Sequence, residues 1–259
     1  MSDSPGELSR TPPGAVRRQL RKEVGFGCPV AGCGNPYLEY HHFDPPWEVE
    51  HHHDPDRMIA LCATHHAKVA AWTLADLRGL KAAPPDRAEI RGRFDWMRED
   101  VLAVVGGNFY YETPTIVAYR SEPMIWFERD DQNRLLLNLR VLTASRMPRT
   151  RLENNDWFIR GDPSDVNSPP NGSRLRVHYD NGDDLSVRFR EWVSAKVLGA
   201  EYPASPALED VLRFPLVTAE IAFEVGGTDI KFGPKTTKVG GAAITGCVAA
   251  HSLVGLDFN

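Results

Sequence analysis

Apolar and polar positions along this chain follow two different periods, and the change falls near Gly106. Ahead of it the spacing is helical. Ala15 to Glu23 predicts a short basic helix. Thr73-Leu-Ala-Asp76 has the form of a capping box, in which hydroxyl and carboxylate satisfy each other's orphan N–H groups. It predicts a helix running to about Ala83, where Pro84-Pro85 stops it. Residues 86–104 predict a further helix, with Phe94, Met97, Val101 and Leu102 on one side.

Beyond Gly106 alternation takes over. Thr115 to Tyr119 is apolar and β-branched, and Met124–Phe127 and Leu135–Leu139 flank the hairpin signal Asp130-Asp-Gln-Asn133. Leu175, Val177 and Tyr179 alternate with polar residues, as do Leu185, Val187 and Phe189, on either side of Asn181-Gly182. Val217–Val225, Gly226-Gly227 and Asp229–Phe232 read as another hairpin. The second half therefore predicts an antiparallel β domain over 106–259, sandwich-like or a curved stack. Trp126, Trp157 and Trp192 are expected in its core, and His178 and His251 as ordinary structural histidines. Residues 1–15, rich in Ser, Pro, Gly and Thr, read as a disordered tail.

Composition narrows the class. At 42% hydrophobic and 25% charged residues the chain is an ordinary globular sequence. No apolar run approaches the ~20 residues of a membrane span, and no secretory segment is evident, so a cytoplasmic protein with reduced cysteines is expected. A net charge of −5 confines any nucleic-acid contact to a local patch. The candidate is Arg17, Arg18, Arg21 and Lys22, which share one helix face; that face either holds phosphates or is simply solvated.

Chemistry concentrates between residues 28 and 66. Cys28-Pro-Val-Ala-Gly-Cys33 and Cys62-Ala-Thr-His65 are two pairs of soft or borderline ligands on short turns, the pattern of a tetrahedral Zn²⁺ site. Gly25, Gly27, Gly32 and Gly34 permit the tight backbone around the first pair. The alternatives are three buried free thiols or a disulfide; the odd cysteine number in the cluster disfavours the latter. Five histidines lie between the pairs, His41, His42, His51, His52 and His53, and His66 follows the last ligand. Adjacent strand residues face opposite ways, so one of His41-His42 can face a metal and the other a water. An imidazole near its ordinary pKa of about 6.5 suits a general base.

Leu38-Glu39-Tyr40-His41-His42-Phe43-Asp44-Pro45, with Met58-Ile-Ala-Leu-Cys62-Ala-Thr-His65-His66, resembles the HNH endonuclease motif of the zinc-knuckle type. The resemblance covers about residues 16–72, roughly a fifth of the chain. It implies an α+β protein: a small zinc-stabilised ββα module with flanking helices over 16–105, followed by the β-rich region. It implies structural Zn²⁺ on Cys28, Cys33, Cys62 and His65. It implies His42 as general base, and His41 and His66 as ligands of a catalytic divalent ion, Mg²⁺, Mn²⁺, Ni²⁺ or Zn²⁺. One position departs: Arg57 stands where the motif has its middle asparagine, with Asp54, Asp56 and His53 as nearby substitutes.

The function so implied is metal-dependent hydrolysis of phosphodiester bonds in DNA, in a phage, mobile-element or anti-phage defence setting. The alternative is a non-catalytic zinc-knuckle module that binds nucleic acid or protein. The β-rich region, with edge strands to cover and no catalytic cluster, is expected to sense, target or build a homodimer.

Overall fold

The structure, a computed structural model, describes residues 8–96, 98–142, 148–203 and 210–258. Residues 1–7 of the expected tail and Met97 of the expected helix lie outside these. The protein is mixed α+β and mostly sheet, with few helices. Among the described residues no helix is long and apolar enough to cross a membrane.

The chain divides into two compact units, Met1–Arg91 with Asp165–Asn171, and Gly92–Ser164 with Gly172–Asn259. The sequence reading set the division at 105/106. It falls earlier because Val101–Val105 is a strand of the second unit, and the segment 165–171 returns to the first.

In the first unit, helix α1 (Gly14–Glu23) buries Leu20 and Arg21. Strand β1 (Leu38–His42) pairs antiparallel with β2 (Met58–Cys62), placing His41 opposite Ile59 and His42 opposite Met58. Every residue of β2 is buried, which explains its unbroken apolar sequence. The single-turn helix α2 (Ala63–His66) follows directly, so His66 closes this helix rather than opening one. Helix α3 (Leu74–Ala82) carries the expected capping box: the Thr73 N–H donates to Asp76 Oδ2 at 2.8 Å, and the Asp76 N–H to Thr73 Oγ1 at 3.2 Å. Leu20, Val24, Leu38, Phe43, Met58, Ile59, Leu61 and Leu77 form the core with Cys28 and Cys62.

The second unit holds two sheets. One runs Val254–Phe258, Thr115–Tyr119, Glu122–Arg129, Leu135–Leu142, Pro148–Glu153, Asp156–Ile159 in spatial order. The other contains Arg174–His178, Asp184–Trp192, Leu216–Glu224, Ile230–Phe232, Thr237–Val239 and Ala242–Ile244. The anticipated hairpins are present. The Asn181-Gly182 turn closes with Gly182 at φ 91° and the Tyr179 N–H donating to Asp183 O at 2.9 Å.

Two expectations are corrected here. Among the described residues of 86–104 there is no helix; strands Ile90–Arg93 and Val101–Val105 lie there instead. Val101-Leu-Ala-Val-Val105 lies parallel on Leu216–Glu224 with all five residues buried, and a short run buried on both sides has no period that separates strand from helix. Nor is the β region purely antiparallel. Val101–Val105 on Leu216–Glu224, Val248–Ala250 on Asn108–Tyr111 and Val254–Phe258 on Thr115–Tyr119 are parallel pairings. They join strands far apart in sequence, a relation that local alternation does not encode. Trp157 and Trp192 are buried as expected, whereas Trp126 stays partly exposed. His178 and His251 sit at the surface beside Asp184 and Glu112.

Candidate metal centre and histidine cluster

Cys28 and Cys33 lie on the turn after α1, Cys62 ends β2 and His65 sits in α2. The turn folds tightly because it is glycine-rich at the right places. A Cβ on Gly27 would sit 2.6 Å from Gly34 O, and Gly34 itself has φ 66°. The Cys28 N–H donates to Asn35 O at 2.9 Å and the Cys33 N–H to Val30 O at 3.0 Å. Arg87 clamps the loop from outside, its guanidinium donating to Val24 O at 3.0 Å and Cys28 O at 2.7 Å.

The result is a convergent ligand set. The ligand atoms of Cys28, Cys33, Cys62 and His65 all lie within 4.8 Å of one another. Cys33 Sγ and Cys62 Sγ are 3.8 Å apart, and His65 Nδ1 is 3.3 Å from both Cys28 Sγ and Cys62 Sγ. A tetrahedral zinc with bonds of about 2.3 Å to sulfur and about 2.0 Å to nitrogen leaves edges of about 3.8 Å and about 3.5 Å. The donor set fits that ion. All three thiols are unpaired, so the disulfide alternative is absent. Burial pushes the Cys28 thiol up to about 12, against the pull of the Cys62 and Val30 amides. A cation is therefore what would hold that sulfur as thiolate.

The remaining histidines form two groups on the two faces of β1. Glu39 and His41 share one face. There His66 Nδ1 is 2.8 Å from Glu39 Oε2, and the His41 and His66 rings meet edge-on at 5.2 Å. A carboxylate on one imidazole nitrogen is how ligating histidines are commonly oriented, and it leaves Nε2 of His66 for another partner. On the other face His42 is 3% exposed. Its ring lies 4.8 Å from Trp47 and 5.1 Å from His52. Trp47 in turn stacks on His51 at 4.4 Å and His53 at 5.5 Å, so the histidine loop is ordered around this indole. His42 Nε2 is buried with no hydrogen-bond partner, and an interaction of the ring with the His52 backbone partly opposes the lowering of its pKa.

Burial and neighbouring imidazoles lower both rings of the pair. His41 falls to about 4 by desolvation, then His66 and Arg10; His42 falls to about 4 by desolvation, then His52, with His53 and Arg10 adding. Between pH 6.5 and 4 the unfolded chain binds these protons more readily than the fold does. Stability is therefore expected to fall as pH drops through that window and to lose nothing further from these groups below it. Melting temperature against pH at constant zinc checks this; His42→Gln should show a shallower acid limb than the parent protein.

Arg10 acts on both histidines of the pair, although it lies in the expected disordered tail. Its guanidinium is 3.4 Å from Glu48 Oε1 and 66% exposed, and the neighbouring Ser9 carbonyl accepts from His53 Nε2 at 2.8 Å. Residues 9 and 10 are thus held against the histidine loop. Arg57, at the motif-asparagine position, is tied to Glu50 at 2.8 Å and Asp54 at 3.1 Å and braces the loop from its far end. Asp56 lies in the turn Asp54 caps, its N–H donating to Asp54 Oδ1 at 3.0 Å.

The basic face of α1 is not one surface. Arg21 is 5% exposed and committed to Asp165 at 2.7 Å and to Tyr40 Oη at 2.8 Å. Arg18 flanks the same carboxylate at 3.5 Å. Arg17 is half-buried and Lys22 is exposed. An amphipathic helix spends one of its four basic residues on the core, which charge spacing alone does not foretell.

Glu39, Trp47, Arg10 and Arg87 were not singled out from the sequence. Only Glu39 left a local signal, two positions before His41 on a strand and so on its face. Compared with family models, curated proteins and solved structures, the chain matches none.

Proposed function

We propose that the first unit is a metal-dependent endonuclease of the HNH type that hydrolyses phosphodiester bonds in DNA. The observation that carries this reading is the junction of two features: a Cys₃His set with zinc geometry, and, on the same short segment, His41 and His66 at 5.2 Å with Glu39 on the second ring. The order of strand, strand and short helix supports it.

A divalent ion held by His41 and His66 would supply charge stabilisation at the phosphorane and the leaving 3′-oxygen. The protein groups have distinct tasks in this reading. His42, its Nε2 without a hydrogen-bond partner, takes the proton from the attacking water. Glu39 orients His66. Arg10, exposed and within electrostatic reach of both histidines, holds a non-bridging phosphate oxygen. Cys28, Cys33, Cys62 and His65 keep β2, α2 and the turn after α1 together. Supercoiled plasmid incubated with the protein and Mg²⁺, Mn²⁺ or Ni²⁺ should be nicked, with transition ions favoured by the imidazole ligands. No cleavage with any of these ions, by protein carrying its zinc, refutes the proposal.

A second reading is a zinc-knuckle module that binds without cutting. It is favoured by the burial of His42 beneath Trp47 and by Arg57, whose ion pairs close the loop where the motif has an asparagine. The plasmid assay separates the two.

A further inference from the structure

The sheet that includes Glu122–Arg129, Leu135–Leu142, Pro148–Glu153 and Asp156–Ile159 has one apolar and one charged face. Ile125, Leu137, Leu139, Leu152, Trp157 and Ile159 are all at most 1% exposed on the first. Alternation sends Trp126, Arg140, Arg151 and Phe158 to the other; Arg149 lies at a bulge and stands over Tyr179 instead, at 5.2 Å. Strand register then makes a row. Arg140 lies directly opposite Arg151, and Arg151 directly opposite Phe158. The Arg140 guanidinium stands over the Trp126 ring at 5.1 Å, and that of Arg151 over Phe158 at 4.2 Å. At one end the Arg160 N–H donates to Arg149 O at 2.8 Å, which fixes the backbone of Arg160 two residues beyond Phe158.

Arg140 and Arg151 thus face each other on two neighbouring strands, with Arg160 just past the end of the next and aromatic rings on either side. Like charges directly opposite in an antiparallel pair destabilise it, and here two such guanidinium groups face each other. Arg140 has no acidic partner among the described residues. Arg151 has Glu153 at 2.9 Å, and Arg149 has Asp183 at 3.7 Å. The other acids of the face are engaged elsewhere, Glu128 with the Trp126 indole N–H at 2.8 Å and Asp156 with Arg93 at 3.0 Å. A polyanion would relieve the arginine end. Planar guanidinium groups stacked on rings also offer π-faces, which a polyanion with unstacked bases can use and a duplex cannot.

We propose that this face is a platform for single-stranded nucleic acid: Arg140, Arg151 and Arg160 contact phosphates, and bases stack along Trp126, Arg140, Arg151 and Phe158. The row spans about 14 Å, three strand spacings. The proposal belongs to the second unit alone and stands whether or not the first unit cuts DNA.

Fluorescence anisotropy of the full chain with a labelled 12-nucleotide single-stranded DNA, without added divalent ion, tests it. Single strand should bind more tightly than the duplex of the same sequence, with a log–log salt slope of about −2 for three phosphate contacts. Arg140→Glu combined with Arg160→Glu should weaken binding at least about 10-fold and flatten the slope by about 1–2. Trp126→Leu should weaken binding about 5-fold or more and leave the slope unchanged. Unchanged melting temperatures show that the variants fold. Binding within about twofold of the parent for the arginine variant, or tighter binding of duplex, overturns the proposal. So does an arginine effect without a Trp126 effect, which would leave only a polyanion patch.

Discussion

Replacing Cys62 by serine is expected to unfold the first unit and to reduce bound zinc from one per chain to nearly none. Cys62 ends β2, opens α2 and contributes its sulfur to the cluster, so three elements lose their common anchor at once. A serine hydroxyl does not ionise at neutral pH and is a poor zinc ligand. The magnitude follows from the size of the unit. Its core is a small set of buried side chains, and two of those are the ligands Cys28 and Cys62 themselves. Structural zinc contributes an apparent ~10–16 kcal/mol to small metal-dependent folds, whereas whole domains are stable by only about 5–15 kcal/mol. Loss of the ion therefore exceeds what the remaining core can offset. Metal analysis and limited proteolysis check it: the parent protein should carry one zinc and resist cleavage between residues 28 and 65, and the variant should be cut there. A well-folded parent protein that holds no zinc defeats the assignment outright.

His42→Ala is the variant expected to separate chemistry from folding. On the nuclease reading, loss of a positioned general base lowers the nicking rate by about 10²–10⁴ while the zinc stays in place. The side chain is buried, but its Nε2 is unpartnered, so truncation strands no group at that nitrogen, and only the ring's interaction with the His52 backbone is lost. Some packing against Trp47 is lost, and a modest drop in melting temperature accompanies the rate effect. Cleavage at the parent rate by zinc-loaded His42→Ala removes His42 from the mechanism. Equal loss in rate and in zinc content would mean that the residue is structural. His41→Ala and His66→Ala should instead raise the concentration of activating ion needed for cleavage.

Much of the fold was legible because its signals are local. The Thr73/Asp76 capping box is a contact between residues three apart, and it appears as written in the sequence. The same holds for the hairpin at Asn181-Gly182, for Asp184–Trp192, whose alternating residues face one apolar side, and for the apolar run Thr115–Tyr119, whose three central residues are all buried. The Cys₃His group that could hold a metal ion was legible for a related reason. Cys28 with Cys33, and Cys62 with His65, are two short turns, and each turn presents its two donors without help from the rest of the chain.

What the sequence by itself determined is thus the ligand set, the turns and most strands of the β region. Tertiary structure decided the rest, because those features depend on partners distant in sequence. Val101–Val105 became a strand rather than a helix through its pairing with Leu216–Glu224, more than a hundred residues away. Arg21 left the basic face of its helix because Asp165, 144 positions on, binds its guanidinium. Arg10 gained a place beside the histidines through Glu48, and Trp126 was kept from the core by the register that set it across from Asn138, on the face of Arg140. A periodic pattern states which side of an element is apolar. Which distant segment meets that side, and which charged group finds its counter-ion there, is settled only when the chain has closed on itself.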